Sequence, residues 1–122
     1  MTSITVLYDI NRLSPNGRLH WREKAKRVKS AKSRAYFAWI AAGKPTWSVP
    51  VTVAIHVQRG RVIDADNALA CCKPLIDGIF GGNATPDDSA QWVEFLPVTF
   101  ETGAKFRHKE IVTFTIQPRT NP

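Results

Sequence analysis

Apolar and polar positions alternate at the start of the chain, with Ile4, Val6 and Tyr8 on one side and Thr5, Leu7 and Asp9 on the other, the period of a first β-strand. A second strand is predicted over Val49 to Gln58, where Val49, Val51, Val53, Ile55 and Val57 share one side; Arg59, Gly60 and Arg61 end it. Gln91 to Phe100 and Glu110 to Gln117 alternate as a closing pair of strands, joined through Gly103 and a basic segment with Lys105, Arg107, His108 and Lys109. Between these lie two helical stretches. Trp21 to Ala42 is built of strong helix formers and closed by Gly43 and Pro45. The second carries Leu69, Cys72, Ile76, Ile79 and Phe80 as one buried stripe, stops at Gly81 and Gly82, and is expected to kink at Pro74. Asn11 to Gly17 reads as a loop, Asn83 to Ser89 as a turn, and Pro118 to Pro122 as a frayed tail. The order βαβαββ predicts an α+β domain: a single small mixed sheet with two main helices packed on one face.

Composition adds a partner to this outline. The 122 residues, 43% of them hydrophobic, suit one domain over 1–122 with one core, and no repeat or linker divides them. Seventeen basic residues against ten acids give a formal charge of +7, which favours nucleic acid or an acidic membrane surface. Arg22, Lys24, Lys26, Arg27, Lys29, Lys32 and Arg34 crowd the first half of the long helix against the single acid Glu23, while Ala35 to Ala42 is apolar. That charge is either a track for phosphates or a solvated face. No stretch approaches the ~18 apolar residues of a membrane span, and MTSITVLYDINR lacks the pattern of a signal peptide, so a cytoplasmic protein is expected. Cys71 and Cys72 are adjacent and close no useful loop; they read as reduced core residues. Trp39, Trp47 and Trp92 read as core or dimer interface, His20 and Trp21 as the core's edge with reach to DNA as the alternative, and His56 as structural.

Against this basic background, five of the six aspartates fall between residues 64 and 88. In an extended segment Asp64 and Asp66 point the same way and could share one hard divalent cation, magnesium or manganese. Equally, either could cap the following helix. Asp87 and Asp88, after Pro86, are open both to metal binding and to ordinary turn chemistry. Asp77 follows Lys73 by one helical turn and is placed either to pair with it or to touch metal.

Taken together, Asp64-Ala65-Asp66-Asn67, then Lys73, Asp77-Gly78, Asp87-Asp88 and Gln91 resemble the RusA family of Holliday junction resolvases, including phage and prophage members. Ser14, Pro15, Asn16 and Arg18 before a basic helix are similar to the family's opening. The resemblance spans roughly residues 3–117 and is most specific over 64–91. It implies a bacterial, magnesium-dependent endodeoxyribonuclease that acts as a homodimer and nicks four-way DNA junctions in pairs. Asp64, Asp66 and Asp88 take the catalytic, metal-binding positions, with Asp87 beside them, Lys73 as catalytic lysine, and Asn67 and Asp77 in support. Asn16, Arg18, the basic residues from Arg22 to Lys32, Arg59 and Arg61 would hold DNA. One departure is plain: the namesake's lysine falls at Ala70 here, three residues before Lys73, while the four-residue step from lysine to Asp77 is kept. Two other classes fit the same residues: a basic DNA-binding module without catalysis, and a metal-dependent phosphoesterase acting on unbranched nucleic acid.

Overall fold

A computed structural model describes residues 1–9, 21–61 and 65–119, the side chains of Ala65 and Asp66 excepted. The elements are β1 (Thr2–Leu7), α1 (Trp21–Ala41), β2 (Val51–Arg59), α2 (Ala65–Phe80), β3 (Val93–Phe95), β4 (Thr99–Thr102), a 3-10 turn at Ala104–Phe106, and β5 (Ile111–Pro118). They form the expected α+β domain around a mixed five-stranded sheet in the order β1-β5-β2-β3, with β4 also on β2.

β5 is antiparallel to both β1 and β2, so β1 and β2 run parallel with β5 inserted between them. β3 and β4 pair with β2 in parallel on its other side. The chain therefore crosses from β1 through α1 to β2, and from β2 through α2 to β3, always advancing the same way along the sheet. Parallel crossovers are right-handed, which puts both helices on one face. The burial follows: Ile4, Val6, Val51, Val53, Ile55, Val57, Val112, Phe114 and Ile116 are all buried, while the alternate residues of β2 are half-exposed. Register stacks them in rows, Ile4–Phe114–Ile55 and Val6–Val112–Val57.

α1 lays only Ala31, Ala35 and Trp39 into the core, and Trp39 Nε1 donates to the Pro45 carbonyl at 2.8 Å. It ends in a Schellman motif: Lys44 N–H donates to Trp39 O at 3.1 Å and Gly43 N–H to Ile40 O at 3.0 Å, with Gly43 at φ 95°. α2 is the more deeply buried helix, with Ala68, Cys71, Cys72, Leu75, Ile76, Ile79 and Phe80 all enclosed. At Gly78 it comes closest to α1. A Cβ placed there would be 2.5 Å from the Lys32 carbonyl oxygen and 3.0 Å from Ala35 Cβ.

The structure corrects the sequence expectations at five points. Val49 is 47% exposed and outside β2, since Pro50 beside it has no N–H to give the ladder. Gln91 to Phe100 is not one strand; Pro97 divides β3 from β4, and Gln91 is an exposed turn residue. Nor do the last strands pair with each other, because they flank β2 on opposite sides. Leu69 leaves the buried stripe of α2 at 38% exposure, while Ala68, Cys71 and Leu75 enter it. Pro118 closes β5, and Arg119 N–H donates to Pro50 O at 2.8 Å, so only 120–122 of the expected tail lie outside the described residues. As expected, Pro74 lies inside the second helix; the carbonyl that loses its donor belongs to exposed Ala70, where water can serve it. Among the described residues, no helix is long and apolar enough to cross a membrane.

Candidate functional site

The turn after α2 is built to bring residue 88 back against the helix. Gly82, at φ 89°, lets the chain reverse; Asn83 Nδ2 donates to Gly78 O at 2.9 Å and Ala84 N–H to Ile79 O at 2.9 Å. The buried Thr85 hydroxyl lies between the Phe80 and Asp87 carbonyls, at 3.2 and 2.7 Å. Asp87 then closes a local turn, its Oδ1 accepting from Ser89 N–H at 2.8 Å, and its bonds to Ser89 hold its pKa low. Asp87 is thereby committed to the turn, and Asp88 faces α2.

There Lys73 bonds Asp88 Oδ2 and stands 3.1 Å from Asp77 Oδ1. Burial raises the Asp77 pKa and a hydrogen bond with Asp88 raises it further, against the pull of Lys73. Asp88 moves the other way, lowered first by Lys73 and then by Asp77. Burial works against the Lys73 ammonium, but its bonds to Asp88 and Asp77 outweigh that and raise its pKa. The result is a carboxyl pair bridged by one ammonium, with the Asp77 pKa pushed up and the Asp88 pKa pulled down. A shallow apolar depression lined by Leu69, Ala70, Ile76 and Phe95 adjoins Lys73.

Asp64 lies outside the described residues, as does the side chain of Asp66, whose backbone is in the first turn of α2. Seven residues on, Lys73 is ~10.5 Å further along the axis on nearly the same face. Its ammonium reaches onward to Asp77, away from Asp66. Asn67 is half-buried in the same first turn. Among the described residues no three acidic, histidine or cysteine side chains converge. The described part of the donor set nevertheless fits a hard divalent cation: two carboxylates, oxygen donors only, with more negative charge than Lys73 cancels.

The basic surface is not uniform. Arg22, Lys24, Lys26, Lys29 and Lys32 are exposed along α1, whereas Arg27 pairs with Glu23 at 3.7 Å and Arg34 donates to Leu7 O at 3.2 Å. Trp21 does not close the core; it is 68% exposed with the Arg22 guanidinium 5.2 Å from its ring centre. Arg61 is exposed, but Arg59, expected beside it on the surface, is only 7% exposed. The alternation along β2 that buries Val51, Val53, Ile55 and Val57 carries Arg59 inward too.

Arg59 meets Glu110 at 3.5 Å and Asp9 at 3.7 Å, a cluster absent from the sequence expectations although strand alternation pointed to it. Burial and then Asp9 push the Glu110 pKa up. Asn16, Arg18 and His20 lie outside the described residues. His56 bonds Thr99 Oγ1 at 2.7 Å on the open face of the sheet, and Trp47 and Trp92 pack partly buried against the core. Both cysteines are buried and outside any disulfide, and burial followed by Cys71 pushes the Cys72 thiol up to about 12.

Fold and site together define a small α+β domain with a lysine-bridged carboxyl pair between its second helix and the turn that follows, and a cationic first helix. No protein-family model matches the chain. An uncharacterized protein of Xylella fastidiosa (strain Temecula1 / ATCC 700964) is 35% identical over 85 residues, covering 65% of this chain. The chain spans 56% of that relative's length.

Proposed function

We propose that this chain is a magnesium-dependent endodeoxyribonuclease of the RusA kind, which resolves four-way DNA junctions by paired symmetric nicks as a homodimer in a bacterial cytoplasm, phage or prophage encoded. The observation that carries the reading is the convergence of Asp88, from a turn, with Lys73 and Asp77 on α2. Asp64, Asp66 and Asp88 would hold magnesium, with manganese a substitute. When bound, the ion supplies Lewis acidity and an activated water. The chain's own groups do the rest. Lys73 exchanges a carboxylate for a phosphate oxygen and neutralises part of its charge, and Asp77, with its raised pKa, takes or returns a proton beside it. Asn67 orients a neighbouring ligand. The exposed cations of α1 and Arg61 bind backbone phosphates, which position DNA without reading its bases.

One observation favours a second reading, a DNA-binding module without catalysis: Lys73 already neutralises part of the carboxyl pair. A nicking assay in magnesium on a synthetic four-way junction, beside a matched linear duplex, separates the readings. Paired nicks in the junction alone, lost in Asp88→Asn and on chelation, are expected. Binding without nicking would establish the module, and equal cutting of the linear duplex the general phosphoesterase. Light scattering should give a dimer; full activity from a monomer would remove that part of the proposal.

A further inference from the structure

We infer that the open depression between the end of β2 and the turn at 104–110 is a phosphate seat, holding a backbone phosphate of the nucleic acid that α1 binds. It rests on the nucleic-acid part of the proposed function and not on catalysis. The depression measures ≈ 390 Å³ and is lined by Arg59, Arg61, Arg107, His108 and Glu110. Its buried wall is the Arg59 side chain, 9% exposed. Charge-assisted N–H···O bonds normally span ~2.7–2.9 Å. Arg59 stands instead 3.5 Å from Glu110, to whose Oε1 an Nη donates at that length, and 3.7 Å from Asp9, and among the described residues its buried Nε has no hydrogen-bond partner. A buried guanidinium held this loosely keeps donors for another oxyanion.

The opposite wall is fixed. Gly103 N–H donates to Arg59 O at 3.2 Å, Arg107 N–H to Ala104 O at 3.2 Å, and Phe106 is buried beneath. A Cβ on Gly60 would stand 3.3 Å from Arg107 Cγ, so the bare glycine lets the Arg107 stem lie across the strand end. Behind Arg107 and His108 a second depression of ≈ 370 Å³ is lined by Tyr8, Arg34 and Lys109. Arg34 belongs to α1. The cations therefore continue from α1 through Arg34, Lys109 and Arg107 to Arg61, a line that suits a phosphodiester chain better than a single free phosphate. The facing acids, Asp9 and Glu110, are both drawn to Arg59.

Arg61→Gln and Arg107→Gln keep the stems and remove the charges. Anisotropy titrations with a labelled duplex over a salt series should show each variant lowering the slope of log K against log salt by about 0.9, and weakening binding about eightfold near 0.1 M salt. Lys44→Gln, an exposed charge beyond the far end of α1, is the control and should leave the slope alone. Unchanged slopes in both arginine variants would overturn the seat, as would a parent that binds no DNA. Inorganic phosphate bound in an Arg61- and Arg107-dependent way, with DNA slopes unchanged, would also overturn it in favour of a small-anion site. Reduced slopes in a parent that never nicks junctions would support the seat while refuting the nuclease reading.

Discussion

Replacing Gly78 by alanine should destabilise the protein, although helix propensity alone argues the reverse. Within a helix, alanine is favoured over glycine by about 1 kcal/mol. Here the added methyl would sit 2.5 Å from the Lys32 carbonyl oxygen, a backbone atom of α1 that cannot rotate away. An ordinary carbon–oxygen contact needs ~3.3 Å, so the helices must part by ~0.8 Å, opening the packing of Ala31 and Ala35. Overpacking of this kind costs about 1–3 kcal/mol, and a clash with backbone belongs at or beyond the upper end. The net loss is about 2 kcal/mol or more once the propensity gain is set against it. At ~2.1 cal/mol/K per residue, a chain of this length loses ~4 °C per kcal/mol, so the midpoint of thermal unfolding followed by circular dichroism should fall by about 8 °C or more. Ala35→Gly added to Gly78→Ala should not restore it, because the nearest obstacle is the Lys32 backbone and not the Ala35 methyl. A midpoint equal to or above the parent's would mean that α1 and α2 do not meet this closely at residue 78.

Lys73→Ala should slow single-turnover junction cleavage by about a hundredfold, as expected for losing a positioned charge or proton donor; a parent rate would leave Lys73 as an ion-pair partner only. Lys26→Ala and Lys29→Ala should each make the salt dependence of DNA binding shallower by about 0.9, and an unchanged slope would mark α1's charges as a solubility face. An aromatic disulfide reagent should label neither thiol in the folded protein and both in concentrated guanidinium, since Cys71 and Cys72 are buried and the Cys72 pKa is pushed up to about 12; rapid native labelling would contradict the packing. Because folding raises the Glu110 pKa, its contribution to stability is full below the unfolded value of 4.5 and is lost as pH rises through the folded one. Denaturant titrations across that range should show this fall in the parent and a shallower one in Glu110→Gln; parallel curves would refute it.

Much of the fold was legible because its signals are local. Alternation along β2 and β5 announced their inward faces, and Gly43 marked the end of α1. The inward turn of Arg59 went unread because charge was trusted over period: the count that buries Val57 buries residue 59 as well. The split at Pro97 and the insertion of β5 between β1 and β2 depend on pairing across the chain, which periodicity does not encode. In the site, the Lys73–Asp77 contact was readable as one helical turn. The resemblance set Asp88 ahead of Asp87, but the physical reason was not readable, because Asp87 is turned aside by Ser89's N–H and by the tie of Thr85 to the end of α2.

Because β5 sits between β1 and β2, the sheet cannot close until β5 has been made. Residues Thr2 to Leu7 leave the ribosome long before their partners, Ile111 to Ile116, have been made. β2 likewise waits for β5 along one of its edges. Until then the nascent chain carries the helices and an incomplete sheet, with open strand edges of the sort that pair with the wrong neighbour. Closure is thus an event of high contact order, and β5 acts as the keystone that joins the first strand to the rest.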